Sequence, residues 1–146
     1  MTAENFYLPI KAAIRSAKEL SKDVKLFSLV VPGAFAYRPG QFVMVSAWGS
    51  GEVPISITST PEVSEGVEVC VRAVGHATSA LNRLGVGDTL WLRGPYGRPF
   101  PLNRETKDTL IISGGIGIVP LRPLINQIMA DAALRNNVNI IYGSRN

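Results

Sequence analysis

Thr109-Leu110-Ile111-Ile112-Ser113-Gly114-Gly115-Ile116-Gly117-Ile118-Val119-Pro120-Leu121 is the stretch that decides the fold. Its apolar run, Leu110 to Ile112, stops at a glycine cluster, and a helix-like pattern follows. That is the order of a buried parallel strand turning directly into a helix. Such a junction suits phosphate, because glycines let the backbone approach an anion and the unpaired N–H groups of a first helical turn point at it. Pro120 falls early in that helix, where a missing N–H costs little. The third glycine of the common dinucleotide fingerprint is absent. On these residues alone, a structural turn and a pyrophosphate seat are equally good readings.

Working outward, the spacing predicts a helix over Pro120 to Leu134, with Pro123 still in its first turn, and a strand over Val138 to Tyr142. Together with the first strand they form a βαβ unit of a parallel sheet. Two strands and one helix cannot cover both faces of such a sheet, so the unit is expected to be incomplete and the natural polypeptide to continue beyond Asn146. Upstream, from Pro99 to Lys107, proline and charge replace any periodic pattern, as in a linker.

Before the linker the period is two. Strands are expected at Ile10 to Ala17, Val24 to Val31, Gln41 to Ala47, Val53 to Thr58, Gly66 to Val74 and Thr89 to Arg93, with Lys18 to Asp23 as a polar connection. Pro54 limits the fourth strand to an edge or a start. Ala77, Ala80, Leu81 and Leu84 recur at helical spacing, predicting a short helix from His76 to Leu84 that Gly85 stops. Six short, evenly spaced strands and one brief helix describe a small antiparallel barrel.

Composition excludes several classes. Of the 146 residues 46% are hydrophobic and 18% charged, which is not a disordered polyampholyte. Apolar stretches fall well short of a bilayer span, and the N-terminus lacks a signal-peptide layout, so the chain is expected to be cytoplasmic with no membrane span. The net charge of +4 comes from scattered residues without a basic run, so no nucleic-acid partner is indicated. The single cysteine, Cys70, rules out an internal disulfide framework and any cysteine-only metal site, and its alternating strand reads as a structural position.

Four motifs, in order, resemble those of the ferredoxin-NADP reductase superfamily: Tyr37-Arg38-Pro39-Gly40-Gln41-Phe42-Val43, Val53-Pro54-Ile55-Ser56, Gly75-His76-Ala77-Thr78-Ser79-Ala80-Leu81, and Gly114-Gly115-Ile116-Gly117-Ile118-Val119-Pro120. The Pro-Ile-Ser form is most similar to flavin-binding electron-transfer subunits, namely those of dihydroorotate dehydrogenase, of sulfhydrogenase (its gamma subunit) and of anaerobic sulfite reductase. The resemblance implies an FAD-binding barrel over residues 1–104 and the N-terminal part of an NAD(P)-binding α/β domain over 105–146. It also implies electron transfer between NAD(P)H and an iron-sulfur partner, within complexes of hydrogenase or reductase type. A 2Fe-2S cluster, carried by such relatives, would lie on a region absent from this chain.

Residue by residue, the resemblance places Val53, Pro54, Ile55 and Ser56 at the flavin, although the family's usual Arg-x-Tyr-Ser has lost its arginine and tyrosine here. Ser56 keeps the hydroxyl that lies near flavin N5, where it can donate or accept a hydrogen bond as hydride arrives. Gly75, His76, Ala77, Thr78 and Ser79 would form the pyrophosphate seat that favours FAD over FMN, or else simply cap a structural helix. Arg72 would replace the missing arginine charge, or stand as a solvated strand residue, and Tyr96 would cover part of the flavin or pack against the linker. Gly114, Gly115, Ile116, Gly117 and Pro120 would seat the nicotinamide dinucleotide, with Arg145 meeting its phosphate or ribose. No triad or paired carboxylate is present, which agrees with hydride chemistry that the cofactor supplies. The altered flavin motif leaves one alternative of another class, a non-catalytic docking or scaffolding module of a redox complex.

Overall fold

Period-two alternation in the first hundred residues becomes a six-stranded antiparallel sheet in the computed structural model, which describes residues 7–61, 64, 66–102 and 108–144. Its strands are β1 (Ile10–Ser21), β2 (Val24–Val30), β3 (Phe42–Ser46), β4 (Glu52–Ser56), β5 (Val67–Arg72) and β6 (Thr89–Tyr96), in the spatial order β4-β3-β6-β1-β2-β5. Every second side chain points inward. Ala12, Ile14, Phe27, Leu29, Val43, Val45, Val67, Val69, Val71, Leu90 and Leu92 form one continuous core. Each such burial contributes about 1.5–3 kcal/mol for the larger aliphatic and aromatic side chains, enough together to select this register over one shifted by a residue.

The two edge strands meet where the sheet curls. A bridge pairs Ile57 with Val69, and the Thr58 amide donates to the Glu68 carbonyl at 2.9 Å. Beyond that point β4 and β5 diverge, and α1 (His76–Asn82) fills the seam. Its Leu81 is fully buried, and Ala80 and Leu84 pack on the same core. The expected barrel and its short helix are therefore both present.

One expected boundary moves. The Lys18 to Asp23 segment is not a connection, because β1 runs on to Ser21 and turns sharply into β2 at Val24. The ladder needs backbone partners rather than apolar side chains, and Asp23 holds the turn. Its carboxylate accepts from the Ser21 hydroxyl at 2.9 Å, and its carbonyl accepts from the Ala73 amide at 2.8 Å.

Downstream, β7 (Thr109–Gly114) and β8 (Val138–Gly143) pair in parallel, from Thr109 opposite Val138 to Gly114 opposite Gly143. Between them the expected single helix is two pieces: a 3-10 segment, Gly115–Leu121, and α2, Arg122–Ala130. Pro120 and Pro123 lack the N–H groups that would close α-helical bonds to Ile116 and Val119, so the chain tightens to the 3-10 form first. Pro120 thus lies inside a 3-10 segment rather than in the first turn of an α-helix. The α2 end comes early because Asp131 takes an extended conformation, and its carboxylate accepts the Ala133 amide at 2.9 Å in a local turn.

Ile111, Leu124 and Ile128 are the centre of this second unit, with Phe100 of the linker packed against them. Leu110 and Ile112, on the other face of β7, are about two-thirds exposed. The boundary expected at 104/105 lies outside the described residues.

Candidate functional site

The outward face of the barrel sets the first group. Outside the core alternation, Ser56 on β4 stands opposite Phe42 on β3, which stands opposite Tyr96 on β6. The Phe42 and Tyr96 rings are 5.8 Å apart and tilted, a favourable aromatic pair. β4 is the sheet edge, so Pro54 is tolerated there. Val53 and Ile55 turn the other way and pack partly against the core. Apolar contact thus replaces the charge and the aromatic ring of the usual motif at those two positions.

A glutamine holds this group together. The Gln41 side chain donates to the Gly97 carbonyl at 3.1 Å and accepts from the Arg38 amide at 2.8 Å, while its own carbonyl accepts the Ile57 amide at 3.1 Å. It ties the entry of β3 to the exit of β4 and to the turn after Tyr96. The motif around Gln41 is visible in the sequence, but nothing there marks this residue as the tie.

The start of α1 forms the second group. Gly75 is extended, and a Cβ there would meet no atom within 4 Å, so the backbone is bare on that side. The first helical bond runs from the Ser79 amide to the Gly75 carbonyl, leaving the His76 and Ala77 amides without helical partners. Thr78, by contrast, is committed. Its hydroxyl accepts from the Val74 and Gly75 amides at 3.0 and 2.9 Å and lies 3.1 Å from the Gly75 carbonyl, to which it donates. The capping role expected as one reading of this residue is therefore what its hydroxyl does.

The third group is a cavity of about 770 Å³ lined by Arg72, Gly114, Gly115, Ile116, Gly143 and Ser144. It joins the end of a barrel strand to the carboxyl ends of both parallel strands, the side on which open α/β sheets take ligands. Gly115 has φ +50 and open space where a Cβ would stand. The Tyr142 hydroxyl donates to the Gly115 carbonyl at 3.3 Å, anchoring the turn to β8. Ser113 Oγ is buried here with no hydrogen-bond partner among the described residues. Gly117 and Pro120 lie farther along the 3-10 segment, outside the cavity lining. Arg145 lies outside the described residues.

Arg72 reaches this cavity while its Nε donates to the Asp23 carboxylate at 2.7 Å. That bond, with a second from Ser21, holds the Asp23 carboxyl below the usual carboxylate range. On the opposite end of the sheet, two guanidinium nitrogens of Arg93 grip Glu52 at 2.8 and 2.6 Å and lower its carboxyl likewise. Burial pushes the Cys70 thiol up, in keeping with a structural position. His76 is exposed beside the Gly75 turn.

A buried polar run binds the two units. Thr58, Ser59 and Thr60 are each at most 3% exposed. The Thr58 hydroxyl donates to the Val119 carbonyl at 2.9 Å, the Asn126 side-chain amide donates to Thr60 Oγ1 at 2.9 Å, and Arg122 pairs with Glu68 at 2.8 Å. Ser59 Oγ accepts from the Tyr37 hydroxyl at 2.6 Å and the Glu68 amide at 2.9 Å. These residues carried no expectation. Three consecutive hydroxyls before a proline look like a solvated turn, and only partners sixty residues away bury them.

Among the described residues no helix is long and apolar enough to cross a membrane.

A flavin-type barrel joined to the opening of a dinucleotide-type βαβ unit is the architecture of the ferredoxin-NADP reductase superfamily. Residues 11–100 match the oxidoreductase FAD-binding domain, and the chain belongs to that family. The gamma subunit of sulfhydrogenase 2 from Pyrococcus furiosus is 35% identical over 147 residues, covering 97% of this chain and 50% of the relative. A probable dihydroorotate dehydrogenase B (NAD(+)) electron transfer subunit from Methanocella arvoryzae is 36% identical over 132 residues, covering 90% of this chain and 46% of the relative. The chain spans about half the length of these curated relatives. Phthalate dioxygenase reductase superposes with a TM-score of 0.82 at 21% identity, over 94% of this chain and 44% of that one. Ferredoxin-NADP+ reductase from Plasmodium falciparum gives 0.78 at 20% identity, over 94% and 60%. At those identities the two structures speak for the fold.

Proposed function

We propose that this chain carries the flavin-binding and nucleotide-facing part of an electron-transfer subunit that moves electrons between NAD(P)H and an iron-sulfur partner protein. One observation carries the reading: the cavity that brings Arg72 of the barrel against the Gly114 to Ile116 turn at the carboxyl ends of β7 and β8. A cation, bare glycine backbone and an unpartnered buried hydroxyl suit an anionic dinucleotide.

FAD fits the barrel on this chain's own chemistry. The bare Gly75 backbone and the free amides of His76 and Ala77 face the same seam between β4 and β5 that Val53 to Ser56 borders. Thr78 shapes that seat through the helix cap, while Ser79 closes the first helical bond. Ser56 offers a hydroxyl on the outward row, and the Phe42–Tyr96 pair offers an apolar wall beside it. Bound FAD supplies the conversion between two-electron and one-electron chemistry. The protein's part is to hold, orient and exclude water. Subunits named for hydrogenase and dihydroorotate dehydrogenase complexes among the relatives support a partner subunit of that type. A 2Fe-2S cluster would belong to the part of such proteins that these 146 residues do not span.

The whole polypeptide, purified and loaded with FAD, is expected to be yellow, and NADH or NADPH is expected to bleach its visible band under anaerobic conditions. A protein that takes up neither FAD nor FMN would overturn this reading. A flavin-loaded protein inert to both nucleotides but tight on its partner would favour the docking module, which the altered Val53 to Ser56 motif keeps in view.

A further inference from the structure

The Val119 carbonyl is in an unusual position. In a continuous α-helix it would accept from residue 123, but Pro123 has no N–H. The Arg122 amide takes one side of it in 3-10 fashion, and the other side receives the Thr58 hydroxyl from the barrel at 2.9 Å. From the structure we infer that Thr58 and Pro123 work together as an interdomain clasp, the proline opening a helical carbonyl that the threonine captures, and that the clasp sets the position of the glycine turn relative to Ser56.

Thr58 is well placed for this. Its backbone is fixed on both sides of the barrel seam: its amide donates to the Glu68 carbonyl at 2.9 Å, the Ile57 amide before it donates to the Gln41 carbonyl at 3.1 Å, and Ile57 bridges Val69. At 1% exposure the side chain has no water to bond instead. Two further links land on the same stripe of the segment, Arg122 on Glu68 and Asn126 on Thr60. With Val119 they occupy positions i, i+3 and i+7, one face of a helix. The Arg122 pair is largely solvated and contributes little, so the two buried hydrogen bonds set the geometry.

The positional consequence follows from chain distance. Ser56 is two residues before Thr58, and Gly117 is two before Val119. A bond between the second members of each pair fixes the first members to within a few ångströms. Because the 3-10 segment rises about 2.0 Å per residue against 1.5 Å in an α-helix, the proline also sets how far the turn stands off the barrel. Thr58 is therefore a positioning residue, and its role in hydride transfer rests on the function proposed above.

The test uses the full-length FAD-loaded protein and three variants, Thr58→Val, Thr58→Ser and Pro123→Ala. Thr58→Val keeps the shape and removes the donor. It is expected to leave flavin content and visible spectrum unchanged, to slow flavin reduction at saturating NAD(P)H roughly tenfold, and to speed amide exchange in the Gly115–Leu121 segment about tenfold. Thr58→Ser is expected to restore both. Pro123→Ala restores an N–H that competes for Val119 and is expected to change the same segment's exchange while leaving the barrel's unchanged. Wild-type reduction and exchange rates in Thr58→Val would overturn the clasp, as would a defect that serine fails to rescue. Should wild-type protein itself fail to react with NAD(P)H, the functional proposal falls, and the exchange comparison alone decides the clasp. Should Thr58→Val lose its flavin, unchanged exchange in Pro123→Ala would overturn it.

Discussion

Phe100 lies so close to Gly40 that a Cβ on the glycine would stand 2.7 Å from the Phe100 backbone nitrogen. The same nitrogen donates to the Pro39 carbonyl at 2.9 Å, so the linker is stitched onto the Pro39-Gly40-Gln41 turn and Phe100 is delivered to the core of the second unit. Gly40 also has φ +99, outside the range an L side chain adopts readily. Both obstacles are backbone, which cannot swing away. Gly40→Ala is therefore expected to destabilise the protein by about 2 kcal/mol or more, read as a lower midpoint in a denaturant or thermal melt. A neutral alanine variant would mean that the linker does not dock as described.

Arg72 gives a prediction that separates two ligands. It lines the cavity with the glycine turn, whereas the bare Gly75 backbone begins the next helix. If Arg72 faces a nicotinamide-dinucleotide phosphate, Arg72→Gln should raise the NAD(P)H dissociation constant about tenfold, more at low salt than at high, while leaving FAD bound. Titration of the flavin-loaded protein at two ionic strengths measures both. Loss of FAD with an unchanged nucleotide constant would move Arg72 to the flavin phosphates.

The barrel was legible because burial on one face writes itself into the sequence with period two. Val67, Val69 and Val71 point inward while Glu68 and Arg72 do not, and that alternation alone identifies β5. The glycine turn was legible for a similar reason: an apolar run cannot continue through Gly114 and Gly115 unchanged. What stayed hidden depends on partners distant in sequence. Thr58 and Thr60 read as turn residues, since nothing nearby announces that Val119 and Asn126 will cover them. The 3-10 segment was hidden differently. Pro120 and Pro123 were each tolerable near a helix start, but two missing donors three residues apart remove α-helical bonds in close succession. Ser56 was found through resemblance, whereas its neighbour in space, Phe42, needed the ladder register.

The two exposed ion pairs fix a response to acid. Hydrogen bonds from Arg72 and then Ser21 hold Asp23 below its ordinary carboxyl value, and Arg93 does the same for Glu52. A carboxyl depressed in the folded state stabilises the fold above its unfolded pKa, and that contribution is lost as pH falls through the folded value. Stability is therefore expected to be flat near neutrality from these groups and to decline below about pH 4. Asp23→Asn and Glu52→Gln should each make the acid limb shallower while barely changing neutral stability, because solvent and salt screen both pairs. Melting curves between about pH 2 and 7 provide the check, and an unchanged acid limb in both variants would remove these pairs from the account.

Leu81 tests whether α1 is part of the flavin seat or only caps the barrel. It is fully buried in the seam between β4 and β5 and is the main anchor of a seven-residue helix that could not persist alone. Leu81→Ala should cost about 2–5 kcal/mol, and that loss should fall first on the helix rather than on the strands. If the free amides of His76 and Ala77 hold FAD phosphate, flavin retention should weaken at temperatures well below the melting of the sheet, followed by flavin fluorescence against far-ultraviolet circular dichroism. Coincident loss of flavin and sheet would instead make α1 a plain structural plug.

Ser56 provides the sharpest test of the chemistry, because its neighbours isolate the hydroxyl. It sits on the outward row with Phe42 and Tyr96, at the end of an edge strand whose backbone is held by β3. Replacing it with alanine removes one oxygen at a half-buried surface position and should leave the melting temperature within a degree or two. If that oxygen bonds the flavin where hydride is received, Ser56→Ala should retain FAD yet slow reduction by NAD(P)H by roughly tenfold to a hundredfold, with the nucleotide dissociation constant little changed. Ser56→Thr keeps the hydroxyl and should recover part of the rate. Stopped-flow absorbance of the flavin band separates the two constants, and an alanine variant reduced at the wild-type rate would take Ser56 out of the reaction.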